Sequence, residues 1–131
     1  MEPEHGSDAV DQFLRSQIDT VPHLEALLLL WNSRPKLWSV EEMAKVLFIA
    51  HEATQEILDD LARQNLIVAA ACGGSEAYHY KPELARDQLI SSVDSTYRRE
   101  LIRVSRLIHS KPSAAIREFA RAFRFKREEE E

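Results

Sequence analysis

Four arginines, Arg98, Arg99, Arg103 and Arg106, crowd into a short stretch of the last third of the chain. Guanidinium groups are the side chains best suited to clamp phosphate oxygens, so this cluster is a candidate anion-binding rim. The other reactive residue types are arranged against catalysis. His5, His23, His51, His79 and His109 are scattered, with no helical histidine pair and no Glu-flanked zinc motif among them. Glu41 and Glu42, like Asp59 and Asp60, are sequence neighbours, and on a helix adjacent side chains point to different sides. They make poor acid/base dyads and read as solvated helix faces. A phosphate-cradling glycine loop and a nucleophile elbow are both missing. The sequence therefore predicts no catalytic residues, no metal ligands and no cofactor.

Cysteine usage points the same way. Cys72 is the single cysteine, which excludes an internal disulfide framework and any multi-cysteine metal site. Its neighbours are alanines and glycines that cannot activate a thiolate, so it reads as a small hydrophobe near a turn, in a protein of the reducing cytoplasm.

The elements that must position these residues follow from composition and periodicity. With 131 residues, 44% of them hydrophobic and 30% charged, the chain has the balance of one globular domain with tails. Only 3 Gly and 5 Pro are present, too few for a turn-rich β-sandwich, and the expectation is a mainly α protein with a small β-hairpin. The longest apolar run, Ala26 to Trp31, is too short to cross a bilayer, and the acidic start, with Glu2, Glu4 and Asp8, lacks the basic region of a signal peptide. The net charge of -5 is unevenly spread: residues 1 to 92 carry a net -8 and residues 93 to 131 a net +3. An anionic partner should therefore meet the C-terminal third.

Four segments emerge. Residues 1–19 form an arm with a short helix of modest stability, on which Val10, Phe13, Leu14 and Ile18 have helical spacing, and which can serve as a docking arm. Thr20 then caps a stronger helix through Leu24, Leu27, Leu28 and Trp31, which Pro35 terminates. Ser39-Val-Glu-Glu is a capping box that opens a short helix through Met43 and Leu47. After a break at Phe48 to Ala50, residues 51 to 64 resume the helical pattern, and Asn65 stands where a left-handed residue is wanted. Leu66 to Val68, a Gly-Gly turn signal and Tyr78-His-Tyr complete a two-stranded hairpin.

Segment 37 to 68, LWSVEEMAKVLFIAHEATQEILDDLARQNLIV, resembles the winged helix-turn-helix of bacterial transcriptional regulators of the MarR-like kind. The likeness spans roughly residues 20–82. It implies a DNA-binding regulator whose second motif helix enters the major groove. On that reading His51 and Gln55 approach bases, Arg98, Arg99 and Arg103 take phosphates, and Lys45 and Lys81 add minor contacts. The sequence departs from the pattern in two ways. Carboxylates, Glu52, Glu56 and Asp59 with Asp60 nearby, occupy the groove-facing helix, where phosphate would repel them, and Phe48 stands where such families often place glycine. The alternative is a winged helix repurposed for contact with a basic protein partner through Glu52, Glu56 and Asp59, without DNA binding.

Residues 83–110 read as one long amphipathic helix appended to the winged helix, with Leu89, Ile90, Val93, Tyr97, Leu101, Val104, Leu107 and Ile108 forming a seam. Residues 89–108 offer a homodimer contact. Residues 111–131 form a basic amphipathic helix, with Phe119 and Phe123 on one face as protein-interaction candidates, and an acidic tail. Membrane contact is not expected, because one short segment supplies little apolar area and the acidic end opposes it.

Overall fold

The computed structural model describes residues 2–72 and 75–110. The tip of the hairpin, the side chain of Cys72 and the whole of 111–131, including Phe119 and Phe123, lie outside the described residues. In chain order the elements are α1 (Glu2–Gln17), α2 (Val21–Asn32), β1 (Trp38–Ser39), α3 (Val40–Leu47), α4 (His51–Arg63), β2 (Ile67–Cys72), β3 (Ser75–Tyr80), α5 (Leu84–Arg99) and α6 (Leu101–His109).

The local signals act as their chemistry requires. Thr20 Oγ1 accepts the backbone N–H of His23 and so starts α2. Ser39 and Glu42 exchange side-chain and backbone hydrogen bonds at 3.1 Å each, a closed capping box at the head of α3. The Ser39 N–H, with Lys36 nearby, holds the Glu42 carboxyl below its usual range. Phe48 ends α3 in the left-handed region at φ 59°, ψ 44°, and Asn65 follows α4 at φ 63°. The turn between α3 and α4 thus keeps the geometry for which glycine is the easy residue, but does so with a phenylalanine that is 91% exposed.

One expectation is extended and two need correction. The expected hairpin forms from β2 and β3, and Trp38 and Ser39 pair antiparallel with Tyr78 and Ala77 on its free edge, which extends it to a three-stranded sheet in the order β1-β3-β2. A two-residue strand is too short to show alternation, and it exists because pairing on the free edge of β3 buries Trp38.

The N-terminal segment is not a loose arm. Val10, Phe13, Leu14 and Ile18 are at most 3% exposed and belong to the common core, because α1 packs along α5 and α6. Its stability comes from tertiary burial that its own length could not supply.

The long C-terminal helix is broken. Glu100 leaves the helical region at φ -129°, ψ 52°, and separates α5 from α6. The break rephases the apolar stripe: Ile90 and Val93 on α5 and Val104 and Ile108 on α6 all reach the core, while Leu101 and Ile102 turn outward at 52% and 66% exposure. Leu101, counted in the seam, is therefore a surface residue. Across α2, α3, α4 and the sheet the core continues through Leu24, Leu27, Met43, Leu58, Leu61, Leu66, Tyr78 and Tyr80. No helix among the described residues is long and apolar enough to cross a membrane.

Candidate nucleic-acid interface

Helix α4 buries Thr54, Ile57, Leu58 and Leu61, and is held against α2, α3 and β2 by that face. The 3.6-residue period then forces His51, Glu52, Glu56 and Asp59 outward, all of them exposed. Gln55 sits at the margin of this surface, half-buried. Its Nε2 donates to Asp59 Oδ1 and to Tyr78 Oη, both at 3.0 Å, and Tyr78 donates in turn to Glu76 Oε1 at 3.0 Å. Burial, with Glu76 nearby, raises the Tyr78 phenol above its usual value, so it remains a donor.

The starts of α3 and α4 face the wing across a cleft of about 250 Å³ lined by Ser39, Val40, Glu41, His51, Gln55 and Glu76. Two of its walls are carboxylates, which adds to the negative face of α4. Asp60, grouped with that face in the sequence, is turned away from it. Its Oδ2 lies 2.9 Å from His23 Nε2 on α2, and its Oδ1 accepts from Arg63.

The expected cations fall into two groups. Lys45 on α3 and Lys81 after β3 are exposed and take part in no ion pair among the described residues. The arginines expected on phosphate are on α5 and α6, which pack mainly on α1, α2 and each other, and they are engaged within the chain. Arg98 donates to Asp94 Oδ1 and Asn32 Oδ1 at 3.2 Å each, and Arg99 Nε donates to the Ser95 carbonyl at 3.3 Å. Arg103 bridges both oxygens of Asp11 on α1 at 3.1 and 3.3 Å and also bonds Glu100. Those carboxylates raise its already high pKa. Each of these arginines thus has partners inside the chain, local ones in Asp94, the Ser95 carbonyl and Glu100, and sequence-distant ones in Asn32 for Arg98 and Asp11 for Arg103. The structure brings His51 and Gln55 together in one cleft, and places Arg98 and Arg99 on α5 and Arg103 on α6, outside its lining.

Sequence reasoning missed two features. Tyr78 and Glu76, which hold Gln55, carry one signal only, the alternation that places Tyr78 and Tyr80 on the same strand face. Arg34, the residue before the helix-terminating Pro35, stacks 3.5 Å from the centroid of the Trp31 ring and borders an apolar groove of about 390 Å³ with Pro35, Leu37, His79, Tyr80 and Pro82. No local pattern announces that groove.

No family model matches the chain, and no curated protein matches it. Solved structures do. The chain is similar to the Staphylococcus aureus MepR–DNA complex, at 16% identity and TM-score 0.57 over 78% of this chain and 83% of that one. It is similar to MepR described as a transcription regulator of the S. aureus multidrug efflux pump MepA, at 17% identity and TM-score 0.56 over 99% and 93%. A MarR family protein from Bacillus stearothermophilus matches at 19% identity and TM-score 0.53 over 97% and 86%. At such identities the likeness establishes the fold, and the fold is the winged helix of MarR-like regulators, including the flanking helices outside the motif.

Proposed function

We propose that this protein is a cytoplasmic, DNA-binding transcriptional regulator that presents the N-terminal half of α4 to the major groove and the β2–β3 wing to the flanking backbone. The observation that carries the reading is the arrangement of α4: one face is locked into the core, the other is wholly exposed, and the wing stands beside it across the 250 Å³ cleft. Further support comes from the solved structures of the same fold, one of them a complex with DNA.

Gln55 and His51 are the residues for base edges, and Lys45 and Lys81 for phosphates. Arg98, Arg99 and Arg103 act on the scaffold carrying α4 and reach phosphate only by exchanging their internal partners. The protein works as a homodimer through 89–108, a role for which the exposed Leu101 and Ile102 on α6 are suited.

The test is a salt titration of binding to a mixed-sequence duplex by fluorescence anisotropy, with mass measured on the same sample. A dimer whose affinity falls steeply with salt is the expected result. Absence of binding even at low ionic strength overturns it, and leaves the acidic face Glu52, Glu56 and Asp59 as a surface for a basic protein.

A further inference from the structure

Asp19, His23 and Asp60 reach one point from three parts of the fold: the link between α1 and α2, the first turn of α2, and α4. One potential ligand atom from each lies within 4.8 Å of the other two. His23 is nearly enclosed, its side chain 10% exposed, whereas Asp60 is 28% exposed and Asp19 is half-buried, so the cluster has a closed inner wall and an approach from solvent. The separation of His23 Nε2 and Asp60 Oδ2 is 2.9 Å. Two neighbouring donors on an octahedral first-row cation with bonds of about 2.1 Å stand about 3.0 Å apart, nearly the same distance.

The surroundings are those of a supported ligand set. The second ring nitrogen of His23, Nδ1, lies 2.6 Å from Thr20 Oγ1, which fixes the plane of the imidazole and leaves Nε2 pointing at the carboxylates. The other oxygen of Asp60 accepts from Arg63, which orients the carboxylate with Oδ2 inward. A ligating histidine held through its far nitrogen and a ligating carboxylate held through its far oxygen are the outer contacts that metal sites use to orient their ligands.

We propose that Asp19, His23 and Asp60 bind a first-row divalent cation, with Zn²⁺ and Mn²⁺ the ions best matched to one imidazole and two carboxylates. The ion takes the place of the proton between His23 Nε2 and Asp60 Oδ2. Neutral imidazole carries one N–H, so that proton moves to Nδ1, where Thr20 Oγ1 is already placed to accept it. Water fills the remaining coordination positions from the open side. Bound there, the ion ties the α1–α2 link to the middle of α4 and removes negative charge from the helix assigned to DNA. The site itself does not depend on the DNA reading.

The experiment is calorimetric titration of the untagged full-length protein with ZnCl₂ and with MnCl₂, MgCl₂ serving as the control, beside thermal melts and ¹⁵N spectra of the imidazoles. The expected result is one ion per chain, a raised melting temperature, and a His23 ring protonated at Nδ1 in the bound state. Asp19→Asn and His23→Gln should each weaken binding at least tenfold. Should His23→Gln fail to fold, Asp19→Asn at the rim decides alone, with circular dichroism reporting the fold. A wild-type protein that takes up neither ion at 100-fold excess overturns the site, as does an Asp19→Asn protein with unchanged affinity. Ion uptake without any duplex binding would overturn the DNA reading and leave the site standing.

Discussion

Gln55 on α4 is tied to Tyr78 on β3 by a 3.0 Å hydrogen bond from its amide nitrogen to the phenolic oxygen, which links the helix to the wing through one side chain. The residue proposed as a base reader is thereby oriented before any duplex arrives, and Tyr78 is held in turn through Glu76. Tyr78→Phe removes both bonds at a site only 2% exposed. We expect a loss of about 1–2 kcal/mol in urea unfolding with the circular dichroism spectrum preserved. Gln55→Ala should lower discrimination among duplexes by about tenfold, in the range of a lost bidentate base contact, and equal affinity of wild type and variant for a selected site would exclude Gln55 as a reader.

Phe48 presents the opposite case, a side chain with little to hold and a backbone conformation that disfavours it. At φ 59° and 91% exposure, replacement by glycine removes the left-handed penalty and sacrifices almost no burial, although the unfolded chain becomes freer. Phe48→Gly should raise stability by about 0.5–1 kcal/mol, read as a higher urea midpoint at constant slope. A lower midpoint would mean that the ring makes contacts that stabilise the turn.

Charge variants should move duplex affinity in opposite directions. Lys45→Gln with Lys81→Gln lowers affinity and reduces the slope of log affinity against log salt by about 2, one for each phosphate contact. Glu52→Gln with Glu56→Gln raises affinity at low salt, because two carboxylates no longer face phosphate. If the second pair of changes abolished binding, the acidic side chains would themselves be contacts, for instance acceptors for cytosine amino groups.

Arg103 should behave as a clamp of the scaffold. Its pairs with Asp11 and Glu100 join α6 to α1, with side chains 41% and 20% exposed for the Arg103–Asp11 pair. Arg103→Gln should cost no more than about 1 kcal/mol by denaturation, the range for partly exposed ion pairs. Duplex affinity of the folded protein should be unchanged, and a reduced salt slope would instead assign Arg103 to phosphate.

All three tyrosines should titrate late, Tyr80 and Tyr97 the most. Burial, and then the bond donated to Asp87, raise the Tyr80 phenol to about 12, while burial and the neighbouring Glu25 raise that of Tyr97 to about 12. Both folded values exceed the ordinary 10.0, so these groups stabilise the fold fully below pH 10 and lose that contribution between pH 10 and 12. At the acid end, the Ser39 N–H lowers Glu42 and the Glu83 N–H lowers Asp87. Their contribution is present above the ordinary carboxylate values and is lost as pH falls through the depressed ones. Absorbance at 295 nm should show delayed tyrosinate formation that becomes ordinary in 8 M urea, and a single step near pH 10 in the folded protein would refute the assignment.

Much of this fold is local information. The Ser39–Glu42 box, the Thr20 cap, the Pro35 break, Asn65 in a left-handed position and the alternation of Tyr78 and Tyr80 each involve residues within a few positions of one another. Backbone preference and nearest-neighbour hydrogen bonding therefore define α2, α3, α4 and most of the sheet without help from the rest of the chain. The outward face of α4 is legible for the same reason, since helical periodicity alone separates Glu52, Glu56 and Asp59 from Leu58 and Leu61.

What only the tertiary structure decided depends on groups that meet across long sequence separations. Helix α1 is firm because α5 and α6 bury its stripe, and no short segment can report the presence of such a cover. The bend at Glu100 lets Ile90 and Val93 on α5 and Val104 and Ile108 on α6 all reach the core beside α1 and α2, and an amphipathic run does not record where it will be re-aimed. Asp11 meets Arg103 from the far end of the sequence, and His23 draws Asp60 from the acidic face of α4 into a cluster with Asp19. Electrostatic roles are set by distance in space, over which the interaction falls off in every direction, whereas the chain records only distance along itself.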